Sequence, residues 1–272
     1  MNKIPGLILL SIILISCQKE INFPSGSFST ATLLVRQDSK SGTDSSSTTY
    51  VYDANKRLVK VITTGTVGGN DITGDITFVR NSAGIITQEI ITSPSLQAIG
   101  IDSLAMLVYY DNNSKRYTSV TQVFEISGNS YKDSTAFIYS GNTIIGTNDF
   151  QTLYGITFLA SKSDYSYAGT NITNVNTYGL DSTLTMSLLA TEKATYDNKT
   201  NPLKLPSGES FILGSFLLAG SNNLLTYQLL DGNGSIVRSN TSTYTYNSSN
   251  LPQTAKVVDA SGTTTNVTYY YQ

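Results

Sequence analysis

The chain has 272 residues, 39% hydrophobic and only 13% charged, with 17 basic and 19 acidic side chains and a formal charge of −2. That is enough chain for a core in one β domain or two smaller ones, and it is not the composition of a disordered polymer. With no His and one Cys, imidazole bases, Ser/His/Asp and Cys/His nucleophiles, imidazole-held metals, disulfide frameworks and thiolate clusters are all excluded, and no cofactor or metal is expected.

Residues 1–16 carry Lys3, an apolar run from Ile4 to Ile15 and then small Ser16 before Cys17, the pattern of a secretory signal cleaved between Ser16 and Cys17. The apolar run is about 18 Å long as a helix, short of a bilayer core, and Pro5 and Gly6 weaken it, so a permanent span is not expected. Residues 17–29, with Pro24 and Gly26, read as a flexible tether, and residues 30–272 as a single domain.

From residue 30 onward the chain reads as strands. In TTYVYD, Tyr50 and Tyr52 alternate with Thr49 and Val51, and in TTTNVTYYYQ Val267, Tyr269 and Tyr271 share one face. A unit recurs: an aromatic or apolar strand end, a few Asp/Asn/Gly/Ser turn residues and a second apolar strand. Its strand-end residues are Tyr52, Arg80, Tyr110, Tyr139, Tyr167 and Tyr196, at intervals of about 29 residues. Two more hairpins, with strand ends at Leu230 and Tyr246, fall off that register. Asp, Asn and Gly suit tight hairpin turns, and eight hairpins predict about sixteen strands. The expected fold is all-β: a long antiparallel meander, as an open curved sheet or a partly closed barrel or sandwich, with at most one or two short helices. Residues 93–103 and 207–220 break the strand pattern. The second, after Pro202 and Pro206, has Phe211, Ile212, Phe216 and Leu217 at helical offsets, which predicts either a short helix that plugs or caps the sheet or a buried strand.

Few residues offer chemistry. Asp231-Gly232-Asn233-Gly234-Ser235 opens like a calcium loop, but Ile236 stands at the sixth position and Ser242 at the twelfth, so a hairpin turn is expected. Glycosidases work with two acids and no His, yet Glu89, Glu125, Glu192 and Glu209 show no spacing that singles out a pair. On strands they read as solvated, outward residues, and no catalytic residue is expected. The tyrosines are not interleaved with basic residues, so no nucleic-acid partner is expected. Tyrosine, a flat apolar face with a polar tip, suits a glycan or protein ligand.

The string Leu14-Ile15-Ser16-Cys17 resembles a lipobox, in which the Cys receives the lipid. Gln18-Lys19-Glu20 resembles the short signal that sends Bacteroidetes-type lipoproteins to the cell surface. Tyr50 to Leu58 resembles a YD repeat, and with Tyr196-Asp197-Asn198-Lys199-Thr200-Asn201-Pro202 the chain is similar to Bacteroidetes-type surface lipoproteins of uncharacterised function. The resemblance implies a palmitoylated Cys17, a membrane partner through that lipid and an outer-membrane location. It also implies O-linked glycans at Ser103, Ser134 and Ser182, in the three Asp-Ser-Leu/Thr strings. The expected function is a non-enzymatic binding or envelope-structural role; a glycan-binding or glycan-processing accessory and a lipid or lipoprotein carrier are the alternatives. A concave apolar wall would mark the carrier, exposed tyrosines a binder, and two carboxylates in one cleft a hydrolase.

Overall fold

The computed structural model describes residues 33–98, 100–126, 129–181, 184–206, 208–214 and 220–272. The signal and tether, with Ser16 and Cys17, lie outside the described residues. Sixteen strands follow one another: β1 (Leu34–Ser41), β2 (Asp44–Tyr52), β3 (Leu58–Val67), β4 (Asn70–Arg80), β5 (Ile86–Thr92), β6 (Leu104–Asp111), β7 (Arg116–Ile126) and β8 (Asn129–Ser140) form the first half. The second half is β9 (Thr143–Leu153), β10 (Ile156–Ala168), β11 (Asn171–Leu180), β12 (Met186–Thr200), β13 (Asn222–Asp231), β14 (Ile236–Tyr246), β15 (Pro252–Asp259) and β16 (Thr264–Tyr271). Each pairs with its sequence neighbour, and β1 pairs antiparallel with β16, so the meander is a closed barrel. Two one-turn helices interrupt it, α1 (Pro94–Gln97) and α2 (Glu209–Ile212).

Closure removes both free edges of the sheet. Along the seam, Leu34 to Lys40 pairs with Tyr271 to Asn266. Outside it, the Arg36 guanidinium lies 3.9 Å from the centre of the Tyr270 ring and bonds Asp38 at 3.2 Å. Leu33 and Gln272 exchange backbone hydrogen bonds at 3.0 Å in both directions.

In an up-and-down barrel alternate turns lie at opposite ends. The six regular repeat turns, after Tyr52, Arg80, Tyr110, Tyr139, Tyr167 and Tyr196, all lie at the end where the chain enters at Leu33, here called the tether end. The turn after Leu230 lies at the opposite end, the mouth. Tyr246 returns to the tether end, and its spacing from Tyr196 is long because residues 201–221 are inserted between β12 and β13.

The periodicity has a hydrogen-bonding cause. The hydroxyls of Tyr52, Tyr139, Tyr167 and Tyr196 donate to the carbonyls of Leu34, Tyr117, Ile144 and Ile172, each near the start of the preceding strand. Tyr244 and Tyr271 continue the series to Leu224 and Pro252. Arg80 does the same work with Nη2, 2.9 Å from the Leu58 carbonyl, while Tyr110 packs edge-on against Tyr117 at 5.2 Å. Of the accepting residues Leu34, Ile144, Ile172 and Pro252 are among the most buried of the described residues. Each such bond contributes about 1 kcal/mol and satisfies a carbonyl that the turn leaves over.

Candidate functional site

The inserted segment crosses the tether end. In a sixteen-stranded ring β4 stands diametrically opposite β12, where the insertion leaves the wall, yet Glu209 reaches it. Its carboxylate accepts two bonds from Arg80, both at 2.8 Å, in a pair whose side chains are only 6% and 12% exposed. Arg80 also donates to Gly84 and Leu58 carbonyls, so one guanidinium joins wall, turn and insertion. Phe211 packs on Phe137 and Tyr165, and Leu203 and Ile212 join a core with Leu34, Tyr50, Leu58, Phe78, Ile86, Val108 and Phe137. Residues 201–206 and 208–214 therefore form a crossbar whose apolar side packs into the tether end of the bore. The expected helix is present as α2; Phe216 and Leu217 lie outside the described residues.

Strand pairing fixes which residues face the bore, because paired residues share a face. Phe78, packed against the crossbar, pairs with Glu89, which pairs with Met106; Gln122 and Asp133 follow at the same level. The reading of the glutamates as solvated and outward is overturned for three of the four. Glu89 is 1% exposed, its Oε2 has no hydrogen-bond partner, and burial pushes its carboxyl up to about 8. Glu192 faces the bore and accepts from the Tyr227 hydroxyl at 2.7 Å; burial raises its carboxyl. Glu209 is the crossbar's anchor. Of Glu125 only the backbone, in β7, is described.

Two aspartates missed in the sequence also face the bore. Asp149 accepts from Thr135 at 2.6 Å and Ser161 at 2.7 Å, and Asp133, one strand away, has its carboxyl raised by burial first and by the Asp149 charge second. Among the described residues no group of three His, Cys, Asp or Glu is placed to hold a metal ion. Asp231 behaves as a turn residue: its Oδ1 accepts from the Asn233 and Ser235 amides, and only Gly234 in that turn has a positive φ, +85°.

The mouth carries an aromatic lip. Phe124 and Tyr131, paired at the top of β7 and β8, stack with ring centres 5.6 Å apart and planes 13° from parallel. Tyr154, at the β9–β10 turn, meets Tyr131 edge-on at 6.5 Å and is 76% exposed, held out by a left-handed backbone at φ +52°. Ile156 nearby is 70% exposed. No sequence signal marked this group: Phe124 and Tyr131 meet across the β7–β8 hairpin, and Tyr154 comes from the next one. Ser103 is exposed in the β5–β6 connection, Ser134 bonds Thr121 across the outer wall at 3.0 Å, and Ser182 lies outside the described residues.

The outer wall carries ion pairs. Lys60 bonds Asp75 at 2.8 Å, and Lys162 lies 3.6 Å from Asp164 and against the Tyr178 ring. Ser and Thr are frequent between them, and exposed apolar side chains recur around the ring, with Val51, Val79, Ile145, Leu188 and Leu189 on other strands and Leu107, Tyr109, Val123 and Ile138 grouped on β6 to β8. No described helix is long and apolar enough to cross a membrane.

No family model matches the chain, and no curated protein matches it. Two solved structures share its fold. A porin-like protein from Bacteroides vulgatus ATCC 8482 has a TM-score of 0.55 at 12% identity, over 89% of this chain and 99% of that one. A porin-like protein from Bacteroides uniformis ATCC 8492 has a TM-score of 0.53 at 15% identity, over 88% and 98%. At these identities the likeness establishes the all-β, sixteen-strand closed barrel that they share.

Proposed function

We propose that the protein is a non-enzymatic envelope binding protein, held by a lipid on Cys17 and shaped as a cup, whose mouth takes a glycan. The observation that carries this is the crossbar. A barrel open at both ends would be a conduit, whereas one packed at the end where its chain enters presents a single opening, away from the anchor. The lip of Phe124, Tyr131 and Tyr154 offers flat faces and hydroxyls for sugar rings, and the Ser, Thr, Asp and Gln side chains of the bore offer hydrogen bonds below it. The carrier reading is disfavoured because the apolar wall at the tether end is already packed by Leu203, Phe211 and Ile212. The hydrolase reading retains one feature, the Asp133 and Asp149 pair, and is the second choice.

The two similar porin-like structures raise a conduit as a competing role. A membrane barrel needs an apolar outer band, and a Lys or Arg at mid-bilayer costs about 2 to 4 kcal/mol; Lys162 on β10 and Asp75 on β4 stand on this wall in mid-strand. The deciding experiment is a glycan array with the purified protein and a Tyr131→Ala/Tyr154→Ala variant, beside conductance in planar bilayers. Glycan binding that the variant loses, with no conductance, is the expected result; ion conductance would overturn the cup reading.

A further inference from the structure

We infer that the tether end of the barrel is a docking surface for the phosphate-bearing headgroups of the bilayer, so that the cup stands on the membrane instead of swinging on its tether. The two ends differ in charge. Connections at the mouth bring together Asp44, Asp71, Asp102, Asp181, Asp231 and Asp259, against Lys40 and Arg238 on the flanking strands. Those at the tether end carry Lys56, Arg57, Lys115, Arg116, Lys199 and Lys204. With Arg80 these cations outnumber the four carboxylates there, two of which are ion-paired and two of which keep their charge on neutral partners. Asp53 bonds Arg57 at 2.7 Å, Asp111 bonds Ser114, Asp197 bonds Asn223 and Tyr246, and Glu209 holds Arg80.

The cations left over are the protruding ones. Lys56 and Lys115 sit at turn tips with left-handed backbones, φ +61° and +51°, and Lys204 lies exposed on the outside of the crossbar. They come from the β2–β3 turn, the β6–β7 turn and the β12–β13 crossbar, so they spread across the whole end face. Such a distribution suits a flat, diffusely charged partner better than a single ion. The occupant follows from chain geometry as well as charge. Leu33, where the described chain begins, lies on this same face, so the segment running back toward Cys17 starts from the basic end. The acidic mouth, repelled by the same surface, faces away from it. The inference rests on the charge asymmetry and survives if the mouth proves to bind no glycan.

The test removes the lipid so that only the protein surface is read. The mature chain from residue 17, carrying Cys17→Ser, is sedimented with vesicles of phosphatidylcholine alone or with phosphatidylglycerol added at about 30 mole per cent. Binding to the anionic vesicles is expected to exceed that to neutral ones at least about tenfold at low salt and to disappear near 0.5 M salt, where the Debye length falls to about 4 Å. Lys56→Gln/Lys115→Gln/Lys204→Gln should lose about tenfold or more, whereas Asp44→Asn/Asp231→Asn should not weaken binding. Equal binding to both vesicle types, absence of binding at low salt, or an unchanged triple variant with a native melt would overturn the proposal. The salt dependence of the unsubstituted surface keeps the test decisive if the triple variant folds poorly.

Discussion

Arg80 occupies the strand-end position that tyrosine holds in neighbouring repeats, so Arg80→Tyr separates what the wall needs there from what the crossbar needs. The guanidinium makes four bonds, to the carbonyls of Leu58 and Gly84 and to both oxygens of Glu209. A tyrosine can restore the first, as its counterparts do, and recover about 1 kcal/mol. It cannot neutralise Glu209, and stripping one partner from a buried pair costs about 3 to 5 kcal/mol. The net expectation is a loss of roughly 2 to 4 kcal/mol. Adding Glu209→Gln to Arg80→Tyr removes the stranded charge, so the double variant should be more stable than Arg80→Tyr alone, and the two substitutions should couple by about 2 kcal/mol. Urea melts followed by circular dichroism and tyrosine fluorescence measure all four corners of the cycle. A loss below about 0.5 kcal/mol for Arg80→Tyr, or strict additivity, would refute the account of the crossbar as pinned by this ion pair.

The Glu89 carboxyl, raised by burial to about 8 from an ordinary 4.5, stays protonated in the fold while the unfolded chain ionises. Its contribution is therefore fully present below pH 4.5 and lost as pH rises toward 8, and Glu89→Gln should flatten that decline and stabilise the protein at pH 8 by a few kcal/mol; a parallel pH–stability profile in the variant counts against it. Gly234→Pro, at a φ of +85° that proline cannot adopt, should cost about 2 to 4 kcal/mol. Asn233→Pro, which loses only the amide bond to Asp231, should cost about 1 to 2, and Ser25→Pro almost nothing; equal melting temperatures would contradict the turn assignment. Cys17→Ser should abolish palmitate labelling and release the protein from the membrane fraction, and continued incorporation of label would end the anchor argument.

The local part of this fold was legible because its cause is local. A strand-end tyrosine followed by Asp or Asn marks a turn within a few residues, and the roughly 29-residue interval is a pair of strands with their two connections. What could not be read depends on contacts between distant segments. The pairing of Leu34 with Tyr271 decides between an open sheet and a barrel, and neither strand carries a mark of the other. The glutamates were misplaced for a different reason. They were read as outward because a carboxylate is ordinarily solvated, whereas strand pairing with Phe78 and Val175 turns Glu89 and Glu192 into the bore. Glu209 was unreadable as an anchor because its partner lies 129 residues earlier. The crossbar itself was foreshadowed by two prolines and an apolar cluster that fits no strand.

The seam has a kinetic consequence. Its two sides are the first and last strands, so the contact that completes the ring joins the most distant parts of the domain and carries the largest loop-closure entropy of any strand pair. During export β1 is expected to emerge first and then wait, as an unpaired edge, until every other strand has crossed the membrane. Until then the nascent sheet exposes hydrogen-bonding groups to other chains. Arg36, Asp38 and Lys40 on the outer side of that edge place charge where a stray strand would dock, which lets β1 stay single until β16 arrives.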